Sequence, residues 1–102
     1  MQKVIKRKLY DTDTAEEIGF YRNSCDESDF YFYKECLYRK RTGEFFLYGY
    51  GNDLSKYGLA EVNGIEGSVE VIIPFTDEEA KDWTERYSDA HTYIELFGVP
   101  EE

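Results

Sequence analysis

Cysteine, histidine, proline and long apolar runs are all scarce in this chain of 102 residues, and each scarcity removes a class of function. Cys25 and Cys36 stand eleven residues apart with no Cys-x-x-Cys pair, and His91 is the single imidazole, so neither a metal site nor a cofactor is expected. A reducing cytosol would leave both cysteines as thiols. No apolar run approaches the roughly 20 residues of a membrane span. The basic start Met1-Gln2-Lys3-Val4-Ile5-Lys6-Arg7-Lys8 lacks the apolar core of a secretion signal. These features lead to the expectation of a cytoplasmic protein without a membrane partner.

Basic residues are scarce in one region only. Residues 61–102 hold twelve Asp or Glu against Lys81 and Arg86, whereas residues 1–60 carry ten of each sign, so the whole net charge of −10 sits in the last two-fifths. A negative chain is repelled by phosphate backbones and anionic lipids, which argues against direct nucleic-acid binding. With 41% hydrophobic and 18% aromatic residues the composition is still that of a folded protein, and its length allows one domain over 1–102.

Hydrophobic and turn patterning predicts an α+β domain with an antiparallel sheet of three or four strands, one short N-terminal helix and two C-terminal helices. Lys3–Tyr10 alternates basic and apolar residues and reads as one edge strand. Asp13 or Thr14, with Glu16 or Glu17 three residues on, matches a capping box and predicts a helix over Ala15–Phe20 whose Ile18 and Tyr21 face the core. Asn23-Ser24 and Asp26–Asp29 form an acidic loop. Phe30–Lys40 and Glu44–Tyr50 are strands joined by Arg41-Thr42-Gly43, a three-residue hairpin loop that pairs Leu37 with Leu47 and Lys40 with Glu44. One face of that hairpin carries Leu37, Arg39, Phe45 and Leu47, the other Cys36, Tyr38, Phe46 and Tyr48. Either helices cover both faces or an aromatic face is left for a partner. Gly49–Gly67 is a glycine-rich loop pinned by Leu54, Tyr57, Leu59 and Val62, and Ser68–Phe75 is the last strand. Thr76 and Glu79 form a second capping box, opening a helix to Tyr87; Ser88 or Asp89 caps another, ended by Gly98.

The chain offers little for catalysis, and no catalytic residue is assigned. His91 has no neighbouring nucleophile. Asp11, Asp13, Asp26 and Asp29 could supply a carboxylate pair in number, but their spacing reads as helix caps and solvated loops. Gly49-Tyr50-Gly51-Asn52-Asp53 lacks the Lys-Ser/Thr of a phosphate loop.

The acidic helix is the sharper feature. At 100° per residue Ala80, Trp83 and Tyr87 form one apolar stripe, and Glu78, Asp82, Glu85 and Asp89 gather at the opposite pole, with Asp77 in the first turn. Like charges at that spacing destabilise a helix by about 0.2–0.5 kcal/mol per pair, which folding alone does not require. Duplex DNA carries one charge per about 1.7 Å of axis, so a carboxylate ridge has the electrostatics of a nucleic-acid backbone. The rival surface is aromatic, around Tyr48 and Tyr50 on the sheet.

Four strings carry a family resemblance over nearly the whole chain: Lys8-Leu9-Tyr10-Asp11-Thr12-Asp13-Thr14-Ala15-Glu16, the hairpin from Glu35 to Gly51, Ser55-Lys56-Tyr57, and Ile72-Ile73-Pro74-Phe75-Thr76-Asp77-Glu78-Glu79-Ala80. They resemble small acidic proteins of phages and conjugative elements in Gram-positive bacteria, a group similar to proteins among which inhibitors of CRISPR immunity occur. The resemblance implies an anti-CRISPR inhibitor in the host cytoplasm, with Cas9 as first target. The loop at 58–67 departs from it, lacking the cysteines that some relatives hold there. The alternative expectation is a non-enzymatic adaptor or regulator of the mobile element that uses the aromatic sheet surface.

Overall fold

A computed structural model describes residues 1–58 and 69–102. Its elements are the strands β1 (Gln2–Ile5), β2 (Lys8–Asp11), β3 (Glu16–Arg22), β4 (Tyr33–Arg39), β5 (Phe45–Gly51) and β6 (Val69–Phe75), then the helices α1 (Asp77–Tyr87) and α2 (Ala90–Phe97). β3 to β6 form one antiparallel sheet in chain order, and β1 and β2 form a separate two-stranded sheet, so the α+β class and the four-stranded count hold. Leu59, Val62, Asn63-Gly64, Gly67 and Ser68 lie outside the described residues.

Two N-terminal expectations are corrected. Lys3–Tyr10 is a hairpin rather than one edge strand: Ile5 pairs with Lys8 across a two-residue turn in which Lys6 and Arg7 have φ of 51° and 68°. The alternation that suggested one strand belongs to two short ones.

The helix expected over Ala15–Phe20 is strand β3. The capping groups are used otherwise, because the Asp11 carboxylate accepts from Asp13 N at 2.8 Å and closes an Asx turn that swings the chain from β2 towards β3. Ile18, Gly19, Phe20 and Tyr21 are poor helix formers, and a six-residue helix has too few internal bonds to persist without strong packing. Pairing with β4 supplies that segment's hydrogen bonds, with Glu16 opposite Arg39 and bonded to it at 2.7 Å. A register shift between Glu17 and Gly19 still turns Ile18 to the core, as expected of it, together with Tyr21.

The β4–β5 hairpin follows the sequence reading. Leu37 pairs with Leu47, Lys40 N donates to Glu44 O at 2.8 Å, and Gly43 has φ of 91°, the conformation that the three-residue loop requires. Both helices also stand where expected. The Thr76 and Glu79 capping box is present, Ala80 and Trp83 are buried, Asp89 caps α2 and Gly98 ends it.

Alternation in β4 and β5 separates two cores. Leu37, Phe45 and Leu47 pack under Ala80 and Trp83, with Tyr87 and Phe97 alongside. On the opposite face Phe46 and Ile72 pack against Tyr10 of the N-terminal hairpin, with Ile5 and Tyr38 at the margin. The order is therefore helices, sheet, hairpin. Neither alternative for the second face holds alone, since a β-hairpin covers part of it and leaves Phe20 exposed.

Candidate functional site

On the helix-covered face, Glu35 occupies the register position between Tyr21 and Gly49, where period-two alternation puts it beside Leu37. A carboxylate there needs partners, because burying an unpaired charge is prohibitive. Glu35 is 1% exposed and has three: Lys56 Nζ at 2.6 Å, Trp83 Nε1 at 3.0 Å, and the Tyr57 hydroxyl, which donates to the oxygen that Lys56 contacts. Burial alone would push this carboxyl's pKa up. Hydrogen bonds from Lys56, Tyr57 and Trp83, and the Lys56 charge, outweigh that and hold it below the ordinary value of 4.5. Burial and the same carboxylate push the Tyr57 hydroxyl up, so Tyr57 stays a donor.

Two glycines admit these rings. A Cβ on Gly49 would come within 2.5 Å of the Tyr57 ring, and one on Gly19 within 2.9 Å of the Trp83 ring. Both aromatic side chains thus lie against bare sheet backbone. A groove of about 1020 Å³ opens beside them, with Trp83, Tyr57 and Ile73 among its apolar lining and Asp82 and Glu85 on the helix side.

The acidic residues lie on the outer surface of this layer. Asp77, Glu78, Asp82 and Glu85 of α1 are exposed, whereas Ala80, Trp83 and Thr84 are buried. Lys81 approaches Glu78 at 3.6 Å, and among the described residues it is the sole cation paired with the ridge. Asp89 is separated from α1, because Ser88 adopts an extended conformation and ends the helix. Its carboxylate accepts from Thr92 N at 2.8 Å and is held below its ordinary pKa by that bond.

Tyr48 and Tyr50 lie on the other face. The Tyr48 hydroxyl donates to Glu70 at 2.6 Å, and Lys34 Nζ lies 5.3 Å from the centre of the Tyr50 ring. The sheet therefore separates the two predicted surfaces, which cannot form one site.

Among the described residues no three His, Cys, Asp or Glu side chains are grouped to hold a metal ion, and no helix is long and apolar enough to cross a membrane. Cys25 and Cys36 are free, the first half-buried and the second buried, and burial together with Glu17 pushes the Cys36 thiol up to about 12. The Glu35, Lys56 and Tyr57 cluster was missed in the sequence reading. Its signal was the alternation that puts Glu35 on the Leu37 face, but nothing local to residue 35 marks a partner 21 positions away.

No family model, curated protein or solved structure matches the chain.

Proposed function

We propose that the protein is a non-enzymatic inhibitor, encoded by a mobile element, that binds a host defence protein in the bacterial cytoplasm. Its acidic helix α1 occupies a basic surface that the target uses for nucleic acid. Cas9 is the first candidate, since a Cas9-type protein holds its nucleic acids in a positively charged channel.

The observation that carries this reading is the spacing of exposed, largely unpaired carboxylates on one helix anchored from beneath. Asp77, Glu78, Asp82 and Glu85 span eight residue steps of α1, about 12 Å at 1.5 Å per residue. That is one carboxylate per about 4 Å, near the 3.4 Å phosphate spacing along one DNA strand. Trp83 and Ala80 fix the helix from the opposite side, so the charges are held in place before any partner arrives. A preorganised surface loses less entropy on binding.

The test is competition. Wild-type protein should displace target duplex from a Cas9–guide complex, and its affinity should fall as salt rises from about 50 to 200 mM. Changing Glu78, Asp82 and Glu85 together to Lys should abolish displacement and leave folding intact, because it relieves like-charge repulsion.

The adaptor reading, through the aromatic surface, is favoured by one observation: Phe20, Cys36, Tyr48 and Ile72 form one cross-strand row in which Phe20 is exposed. Under that reading Tyr48→Ala with Tyr50→Ala abolishes binding, the triple-Lys protein keeps wild-type potency, and salt has little effect.

A further inference from the structure

On the face opposite α1, cations gather around the β1–β2 hairpin, while Glu17 and Glu70 lie elsewhere on that face beside Tyr38 and Tyr48. Residues 1–10 contain Lys3, Lys6, Arg7 and Lys8 and no acidic side chain, and Lys40 and Arg41 adjoin Lys8 around one surface depression that Asp11 and Glu44 also line. Glu44 contacts Lys8 at 2.8 Å and Lys40 at 3.6 Å. Lys3, Lys6, Arg7 and Arg41 pair with no carboxylate among the described residues. Four cations thus stand unneutralised on a chain whose net charge is −10.

The turn between β1 and β2 is an independent observation. Both central residues, Lys6 and Arg7, lie at positive φ, 51° and 68°. Asn-Gly is the low-strain occupant of such a two-residue turn, and long basic side chains gain nothing from that backbone. They do project two charges from the tip of a two-stranded ribbon. Strained residues held at an exposed tip point to a use for their side chains.

We infer that the β1–β2 hairpin is a phosphate-contacting arm that docks the backbone of duplex DNA, with Lys6 and Arg7 leading and Lys3 and Arg41 flanking. A two-stranded ribbon, its strands about 5 Å apart, fits a major groove about 12 Å wide. The net charge of the whole chain argued against nucleic acid, but near the hairpin Glu44 is engaged by Lys8 and Lys40 and Asp11 by Gln2, and the carboxylates of α1 lie on the far side of the sheet. Two layer spacings amount to about 20 Å, twice the Debye length of about 10 Å at 0.1 M salt, so their repulsion is largely screened at the hairpin. The inference does not rest on the acidic-ridge reading, since the two surfaces face opposite ways.

The experiment measures binding of a fluorescent 20-base-pair DNA duplex to the full chain between 50 and 200 mM salt. Four phosphate contacts give a slope of about −3.6 in log affinity against log salt, so affinity should fall roughly 100-fold over that range. Lys6→Asn with Arg7→Gly removes two contacts and should halve the slope, while its melting temperature stays equal or rises because Asn-Gly suits the turn. Lys3→Gln with Arg41→Gln removes two charges without touching the turn and should match it. No duplex binding at 50 mM, or equal binding by wild type and both variants, would overturn the inference. Tighter binding of anionic phosphatidylserine vesicles than of duplex by the wild type would overturn the choice of nucleic acid. The triple-Lys variant of α1 keeps Lys3, Lys6, Arg7 and Arg41, so failure of the acidic-ridge reading and failure of this one are read from different proteins.

Discussion

Glu35→Gln isolates the buried carboxylate with almost no change of volume. In the wild type the carboxylate receives Lys56, Tyr57 and Trp83 in a site 1% exposed. The amide keeps one carbonyl oxygen for Trp83 Nε1 and turns a donor towards Tyr57, whose hydroxyl can rotate to accept. Lys56, half-exposed, can swing to water. The loss is therefore one charge-assisted hydrogen bond and its ion pair, set against relief of a buried charge. We expect about 2 kcal/mol at pH 7, below the 3–5 kcal/mol of a charge left buried without a partner. For a domain of this size that corresponds to a melting temperature lower by roughly 8–16 °C.

The pH dependence gives a second, sharper readout. Because the folded-state pKa of Glu35 is held below its ordinary 4.5, its stabilisation is fully present above that value and is lost as pH falls through the lower folded pKa. Urea unfolding from pH 7 to pH 3 should show the gap between wild type and Glu35→Gln closing below about pH 4.5. The net repulsion of the acidic chain changes almost equally in both proteins and cancels in the difference. A variant as stable as wild type at pH 7, or a gap that stays constant to pH 3, would refute the assignment of net stabilisation to this ionised cluster.

Three further outcomes are expected. Trp83→Ala should cost about 3–5 kcal/mol in urea unfolding, since it empties the space under α1 and strips one donor from Glu35. Gly49→Ala should destabilise by at least about 1 kcal/mol by thermal melt, because its Cβ would press on the Tyr57 ring at 2.5 Å and the ring's hydroxyl is tied to Glu35. Cys36 should resist an aromatic disulfide reagent at pH 8 in the native state and react on unfolding, its thiol being buried and pushed up to about 12; reductant should leave the melting temperature unchanged.

What the sequence determined is what short-range chemistry decides. Arg41-Thr42-Gly43 fixes the length of the hairpin loop and hence the pairing of Leu37 with Leu47. Thr76 and Glu79 satisfy each other's backbone at the start of α1 within four residues, and the spacing of Ala80 and Trp83 sets which side of that helix is buried. From those positions the exposure of Glu78, Asp82 and Glu85 follows.

The N-terminal elements depended on the tertiary structure. Asp11, Asp13, Glu16 and Glu17 suit a helix start or a turn into a strand equally well, and the choice lies with β4, whose unpaired edge supplies Glu16–Arg22 with a full ladder of bonds. A β-hairpin with positive φ at Lys6 and Arg7 carries no sequence signal, because its usual marker, Asn-Gly, is absent. Glu35 needed Lys56, Tyr57 and Trp83 from two other regions of the chain. Read along the sequence, the charge asymmetry was a neutral first part and an acidic last part; folding put the carboxylates of α1 and the cations of the β1–β2 hairpin on opposite sides, because a sheet one residue thick sends neighbouring side chains, and the layers packed on them, to opposite sides.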